Sequence, residues 1–97
     1  MMTIKIGNKI FVRTCEVCPE QYEVYDKTRT KHLCYVRLRW GRLAAYCPDV
    51  GGACIYEADI GVDLTGAFYS MEERMEHLSN IAVEIDKFYK DLEEYSR

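Results

Sequence analysis

The stretch LCYVRLRW at residues 33–40 decides the fold, because its side chains alternate between two kinds of surface. Successive residues of a strand point to opposite faces of the sheet. The predicted core face carries Cys34, Val36, Leu38 and Trp40, and the other face carries Leu33, Tyr35, Arg37 and Arg39. This pattern is typical of an antiparallel sheet with one face buried and one solvated.

Strand-like segments flank this stretch on both sides. Each is short, contains β-branched or aromatic residues and is bounded by turn residues. They are residues 4–6, 9–13, 21–26, 43–47 and 53–57. Gly7-Asn8, with glycine first, is typical of the type II′ turn that joins a hairpin.

The C-terminal part of the chain predicts one long amphipathic helix over about residues 71–95. Ser70 can cap its N-terminus, and Glu73 stands where the capping box needs an acid. Apolar residues recur at spacings of four and three, which places them on one side of the helix. This stripe consists of Met71, Met75, Leu78, Ile81, Ala82, Ile85, Phe88, Tyr89, Leu92 and Tyr95.

Strands followed by a single helix exclude an alternating, doubly wound fold. The 97 residues suffice for one domain. We therefore expect a single α+β domain over residues 1–97. It consists of a curled antiparallel sheet of four to six strands at about 3–58, a loop at 59–69 and the helix packed on one face.

The predicted helix is longer than the strands it covers. It would run roughly 37 Å at 1.5 Å per residue, whereas strands of five to eight residues span roughly 17–27 Å. Its last turns either meet a second copy of the chain or lie half-exposed at a loose C-terminus. The candidate contact residues of a homodimer are Ile85, Phe88, Tyr89, Leu92 and Tyr95.

Charge is distributed unevenly along the chain. The net charge is −3, yet residues 27–42 carry six Lys or Arg and no acid, whereas residues 71–97 carry four basic and eight acidic residues. A basic block of this kind can attract an anionic partner to one side of the molecule. The negative total argues against general nucleic-acid binding.

Aromatic and arginine side chains are expected to meet on the solvated face of the sheet. Guanidinium groups clamp phosphates and carboxylates, and aromatic rings stack on bases. The candidate binding residues, for a protein partner or a nucleotide, are Tyr25, Tyr35, Arg37, Arg39, Arg42 and Tyr46. The alternative is an ordinary solvated face with cross-strand Arg–Glu and Arg–Tyr pairs.

The five cysteines are an odd number, and the N-terminus lacks the apolar run of a signal peptide. We expect reduced thiols, a cytoplasmic location and no membrane span, since no stretch of about 20 apolar residues occurs. Cys15 and Cys18 have zinc-knuckle spacing, which leaves a zinc-stapled interaction module open. The candidate completing ligands are His32, Cys34, Cys47 and Cys54. A second closely spaced pair is missing, so no metal or cofactor is expected.

Neither histidine has an obvious nucleophile with a third partner, so no enzyme is expected.

A pattern of short runs extends over most of residues 18–85. The runs are CPEQYEVYD at 18–26, YVRLRWG at 35–41, Pro48-Asp49 with Gly51-Gly52, IYE at 55–57 and Glu72-Glu73-Arg74. This pattern resembles small uncharacterised proteins encoded by bacteriophages and mobile elements.

The resemblance implies a non-enzymatic accessory protein in the cytoplasm of a bacterial host. Such a protein would inhibit a host defence complex by stoichiometric contact with a host protein. The alternative is that it sequesters a small nucleotide signal on the Tyr/Arg face of its sheet.

Overall fold

The computed structural model describes residues 2–15, 20–60, 68 and 70–95. It shows a six-stranded antiparallel sheet followed by one helix, so the predicted α+β fold is confirmed. The elements are β1 (Thr3–Ile6), β2 (Lys9–Arg13), β3 (Glu20–Asp26), β4 (His32–Arg39), β5 (Arg42–Cys47), β6 (Ala53–Asp59) and α1 (Met71–Tyr95). The strands are hydrogen-bonded in chain order, and each runs antiparallel to the next.

The core lies between α1 and one face of the sheet. The predicted alternation of β4 holds for Cys34, Val36 and Leu38, which are all fully buried. Their buried neighbours on the sheet include Phe11, Tyr22, Val24, Leu43, Ala45 and Cys47, and α1 contributes Leu78, Ile81, Ala82 and Ile85. Burying one large apolar side chain contributes roughly 1.5–3 kcal/mol, so this contact is the main reason that α1 packs on the sheet.

The start of α1 follows the predicted capping pattern. The backbone N–H of Glu73 donates a hydrogen bond to Ser70 Oγ at 3.1 Å. This bond satisfies one of the N–H groups that the first turn of a helix leaves without a partner. The acids Glu72 and Glu73 in the first turn also complement the positive end of the helix dipole.

A buried carboxylate fixes the first turns of α1 against β3. Glu20 is only 1% exposed, and Arg74 of α1 donates two hydrogen bonds to its two carboxylate oxygens, at 2.6 and 3.1 Å. The Tyr22 hydroxyl donates a further bond at 2.5 Å, and the Arg13 guanidinium lies 3.8 Å away. Burial by itself would raise the pKa of Glu20. The bonds from Arg74 and Tyr22 and the two guanidinium charges lower that pKa below its usual range.

Lys9 and Glu20 are the two charged residues that are almost completely buried among the described residues, and Lys9 is also paired. It is 3% exposed, and its Nζ lies 2.5 Å from Asp86 Oδ1 on α1 and 2.8 Å from Asn8 Oδ1. Within the described ranges, no buried side-chain nitrogen or oxygen lacks a hydrogen-bond partner. The charges beneath α1 are therefore compensated.

A β-bulge at the start of β4 corrects one predicted side-chain direction. Tyr25 pairs with His32 and Val24 pairs with Cys34, so β4 carries one extra residue, Leu33, at this point. Leu33, predicted on the solvated face, consequently packs against the core. His32 lies opposite Tyr25 on the other face of the sheet, which we call the open face.

Trp40 was predicted in the core, and this prediction is wrong. β4 ends at Arg39, and Trp40 and Gly41 form a two-residue turn with φ values of 55° and 71°. Two residues with positive φ are typical of a type I′ hairpin turn, in which the strand alternation no longer applies. The Trp40 side chain is therefore 65% exposed.

The loop predicted at 59–69 begins one residue later, because β6 includes Asp59. Residues 61–67 and 69 of this predicted loop lie outside the described residues.

Candidate functional site: a basic depression on the open face

The open face contains a shallow depression where the β4–β5 hairpin ends. It has a volume of about 140 Å³. Its lining residues, which we call the basic depression, are Arg37, Arg39, Trp40, Arg42, Ala44 and Tyr46. Three guanidinium groups and two aromatic side chains thus surround one small residue.

The register of β4, β5 and β6 explains why the surface is concave here. Ala44 pairs with Arg37 on one side and with Glu57 on the other. Its methyl group leaves a low point between longer side chains. An irregularity in the pairing of β5 with β6 occurs between Ala45 and Tyr46, and bulges of this kind re-aim the side chain beside them.

Arg42 is the guanidinium whose charge is already balanced. It forms a very short ion pair with Glu57 and a second one with Asp59 at 3.3 Å. The hydrogen bond and the charge of Glu57 raise the pKa of Arg42. Such exposed pairs contribute little to stability, but they fix the direction of the Arg42 side chain. The cross-strand Arg–Glu pairs expected of an ordinary face therefore occur at this position.

Arg37 and Arg39 differ from Arg42, because neither has an acid partner among the described residues. The guanidinium of Arg39 lies 6.0 Å from the centroid of the Trp40 ring. Arg39 also pairs directly with Arg42 across the two strands. The two carboxylates on Arg42 offset the repulsion expected between like charges in that relation, so Arg37 and Arg39 are the guanidinium groups that an external anion would meet.

The structure brings together four of the six predicted binding residues. Arg37, Arg39, Arg42 and Tyr46 line the depression. Tyr25 and Tyr35 lie on the same face but make other contacts. Tyr25 packs edge-on against His32 at 5.3 Å between ring centroids, and the Tyr35 hydroxyl donates to Gln21 Oε1 at 2.9 Å.

Two lining residues were missed from the sequence. Trp40 was assigned to the core because the alternation of β4 was continued through Arg39. The following glycine was the available signal, since Gly41 favours a turn at this point. Ala44 gave no signal, because nothing in its neighbourhood marks a small residue as the floor of a concavity.

The five residues of the predicted homodimer contact differ in their exposure. Ile85 is 1% exposed and belongs to the core, and Phe88 and Tyr89 pack against the core as well. The Tyr89 hydroxyl also donates to the Leu33 carbonyl at 2.6 Å. Leu92 and Tyr95 are 50% and 91% exposed. Of the five residues, only these last two lie largely open at the end of α1.

The cysteines that the structure describes do not converge on one point. Cys34 and Cys47 are buried in the core, Cys15 is half-buried and Cys54 is exposed on β6. A hydrogen bond with Cys47, together with burial, raises the pKa of the Cys34 thiol. Cys18 lies outside the described residues.

Compared with known proteins, the chain matches no family model, no curated protein and no solved structure. Among the described residues, no helix is both long and apolar enough to cross a membrane. The function is therefore inferred from the geometry of the open face.

Proposed function

We propose that this chain is a non-enzymatic binding protein that holds an acidic segment of a partner protein on its basic depression. The observation that carries the proposal is the combination of Trp40, exposed in a turn with positive φ, with two neighbouring arginines that have no acid partner in the described part of the chain. Tryptophan, tyrosine and arginine are the residues most enriched in the energetically dominant contacts of protein interfaces.

The backbone of Trp40 supports this proposal. A left-handed conformation costs roughly 1–2 kcal/mol for a residue with a side chain. A bulky residue rarely adopts it, and such positions cluster at sites of function. At Trp40 the conformation projects a large ring into solvent, where it is 65% exposed and contacts the guanidinium of Arg39.

The size of the depression favours a protein segment over a buried small molecule. Pockets that enclose a small ligand typically have volumes of about 300–1,000 Å³, compared with about 140 Å³ here. The depression thus suits one carboxylate or phosphate group of a larger partner. The rest of that partner would lie across Trp40 and Tyr46.

The resemblance to phage accessory proteins narrows the expected partner to a host protein. Stoichiometric inhibition of a bacterial defence complex is the corresponding mode of action. In a cellular test, we expect host cells that produce the chain to lose the defence and cells that produce Arg37→Glu/Arg39→Glu at equal abundance to keep it. Equal loss of the defence with both chains would contradict a role for the depression.

A second candidate function is the binding of a small nucleotide. The specific observation in its favour is that Arg37 and Arg39, which have no acid partner in the described ranges, lie beside the rings of Trp40 and Tyr46. Guanidinium groups can clamp phosphates, and the rings can stack on a base. In this case the base would remain largely outside the depression.

The single tryptophan of the chain makes the test direct. Its fluorescence is titrated with Asp/Glu-rich peptides and, separately, with mononucleotides and cyclic dinucleotides. We expect a saturable change with acidic peptides that weakens at high salt, because exposed charges are screened. Arg37→Glu/Arg39→Glu should abolish it.

The matched control is Lys5→Glu/Lys27→Glu, which changes the net charge by the same amount at two exposed positions outside the depression. It should retain most of the affinity. A response to nucleotides alone would favour the second candidate. Equal losses in the two double variants would show that the net charge, and not the depression, governs binding.

A further inference from the structure

A second group of polar side chains lies on the open face, apart from the basic depression. Glu23 of β3, His32 of β4 and Asp49 of the β5–β6 connection each place one ligand atom within 4.8 Å of the other two. Within the described ranges, no other three His, Cys, Asp or Glu side chains meet in this way. The three residues come from three different elements, and so the fold, not a local sequence motif, assembles them.

The bulge in β4 brings His32 to this place. If β4 alternated regularly through Leu33, His32 would point to the same side as Cys34, towards the core. In the bulged strand, its Nε2 lies 3.0 Å from Glu23 Oε2, and the ring packs edge-on against Tyr25. One side of the imidazole is therefore positioned by an aromatic contact, while Nε2 is directed at the carboxylate.

Asp49 is held by the tight connection between β5 and β6. The Gly52 N–H donates to the Asp49 carbonyl at 2.9 Å, and the Val50 N–H donates to Asp49 Oδ1 at 2.7 Å. A Cβ atom on Gly52 would lie 2.3 Å from the Cys47 carbonyl oxygen, so a larger residue would displace this connection. The carboxylate is exposed, but its backbone is fixed.

The donor set and its spacing suit a divalent cation of the first transition series. One imidazole nitrogen and two carboxylate oxygens are ligands that Mn²⁺ and Zn²⁺ accept. Metal–ligand distances of about 2.0–2.2 Å, with angles of about 90–110° between ligands, separate the ligand atoms by about 2.8–3.6 Å. The 3.0 Å between His32 Nε2 and Glu23 Oε2 already falls in this range.

The electrostatics of this group also favours a bound cation. Two carboxylates held this close repel each other, and a cation between them offsets the repulsion. Three protein ligands also leave coordination positions free for an external group. Glu23 pairs with Tyr35 and Tyr35 pairs with Tyr46, so the group borders the basic depression through two tyrosines.

We propose that Glu23, His32 and Asp49 form a binding site for one divalent transition-metal ion on the open face. This inference is independent of the proposed protein partner. It concerns a cation, and its test requires no anionic ligand.

The test uses Mn²⁺ alone, because this ion prefers nitrogen and oxygen ligands and is a poor match for the cysteine thiols. Paramagnetic broadening of backbone amide signals is followed during the titration. We expect the amides of residues 23, 32 and 49 to broaden first. His32→Gln and Asp49→Asn should each weaken binding about tenfold or more, since even the loss of outer contacts to a ligand weakens metal sites by about 10–100-fold.

The control is His77→Gln, which removes the other histidine of the chain. His77 lies on α1, shares a hydrogen bond of 2.8 Å with the Tyr56 hydroxyl and is no part of the group. Binding equal in His32→Gln and His77→Gln would overturn the proposal. Broadening centred on the acidic last turns of α1 would overturn it as well. Asp49 is exposed, so Asp49→Asn keeps the test valid if a substitution at His32 disturbs β4.

Discussion

The two faces of the sheet differ in how far their charged side chains are buried and paired. On the core face, the carboxylate of Glu20 and the ammonium of Lys9 are almost completely buried, and each has a charged partner on α1. On the open face, Arg37 and Arg39 have no acid partner in the described chain, although Arg42 beside them has two. Charges that serve the fold are compensated within it. Charges that the fold leaves uncompensated are the better indicator of an external partner.

The largest expected effect comes from breaking a pair on the core face. Arg74→Met should lower the free energy of unfolding by about 3–5 kcal/mol, because it leaves the buried carboxylate of Glu20 without its main partner. Urea denaturation measures the loss. Arg37→Met on the open face is the matched control and should stay within about 0.5 kcal/mol of the wild type. Similar losses in the two variants would remove the distinction between the faces.

The double variant Glu20→Leu/Arg74→Met sharpens the same comparison. Replacing both members of a buried pair by apolar residues of similar volume is often close to neutral. We expect it to recover part of the stability that Arg74→Met loses, because it removes the buried charge but leaves the buried Tyr22 hydroxyl without its acceptor. A double variant as unstable as the single one would mean that Arg74 acts through packing, for instance on the Phe68 ring 5.7 Å away.

Acid should weaken the contact between β3 and α1 on the core face. The folded-state pKa of Glu20 is lowered, since its bonds to Arg74 and Tyr22 outweigh the effect of burial. Its contribution is therefore complete above the unfolded-state pKa of about 4.3 and is lost as the pH falls through the folded-state value. Urea denaturation from pH 7 down to pH 3 should show this loss in the wild type. In Glu20→Leu/Arg74→Met the acid-dependent part should be smaller.

Substitution of Trp40 should have a smaller effect on the free energy of unfolding, and it should stabilise the protein. Trp40→Asn should raise the free energy of unfolding by up to about 1 kcal/mol, because asparagine tolerates positive φ and Asn-Gly is the preferred type I′ turn. The same variant should bind labelled acidic peptide more weakly, as measured by fluorescence anisotropy. Stability and binding would then change in opposite directions at one residue.

Arg29 provides the control for this substitution. Its φ of 58° matches that of Trp40, but it lies in the β3–β4 turn, outside the basic depression. Arg29→Asn should stabilise the protein to a similar extent and leave peptide binding unchanged. A loss of peptide binding in both variants would show that the affinity does not depend specifically on Trp40 in the basic depression.

The two faces also differ in how far the sequence reveals them. Alternation predicted the buried residues of β4, and the 3.6-residue period with the Ser70 cap predicted α1 over its whole length, because both signals are local. The positions of Trp40, Leu33 and His32 were not predictable in that way. Each depends on where a hydrogen-bonded register shifts or stops, at the bulge opposite Tyr25 and at the Trp40-Gly41 turn. The Glu23, His32 and Asp49 group was missed for this reason.

The last and smallest effect concerns the end of α1, where covered and open surface meet along one helix. Leu92→Ser/Tyr95→Ser should change the free energy of unfolding by less than about 0.5 kcal/mol, because both side chains are largely exposed. A stable interface buries roughly 800 Å² on each partner, which two side chains cannot supply by themselves. We therefore expect an unfolding midpoint that does not depend on protein concentration. Leu78→Ala, within the core, should cost about 2–5 kcal/mol by comparison. A midpoint that rises with concentration, and loses this rise in the Leu92→Ser/Tyr95→Ser variant, would instead establish that the helix end joins two copies of the chain.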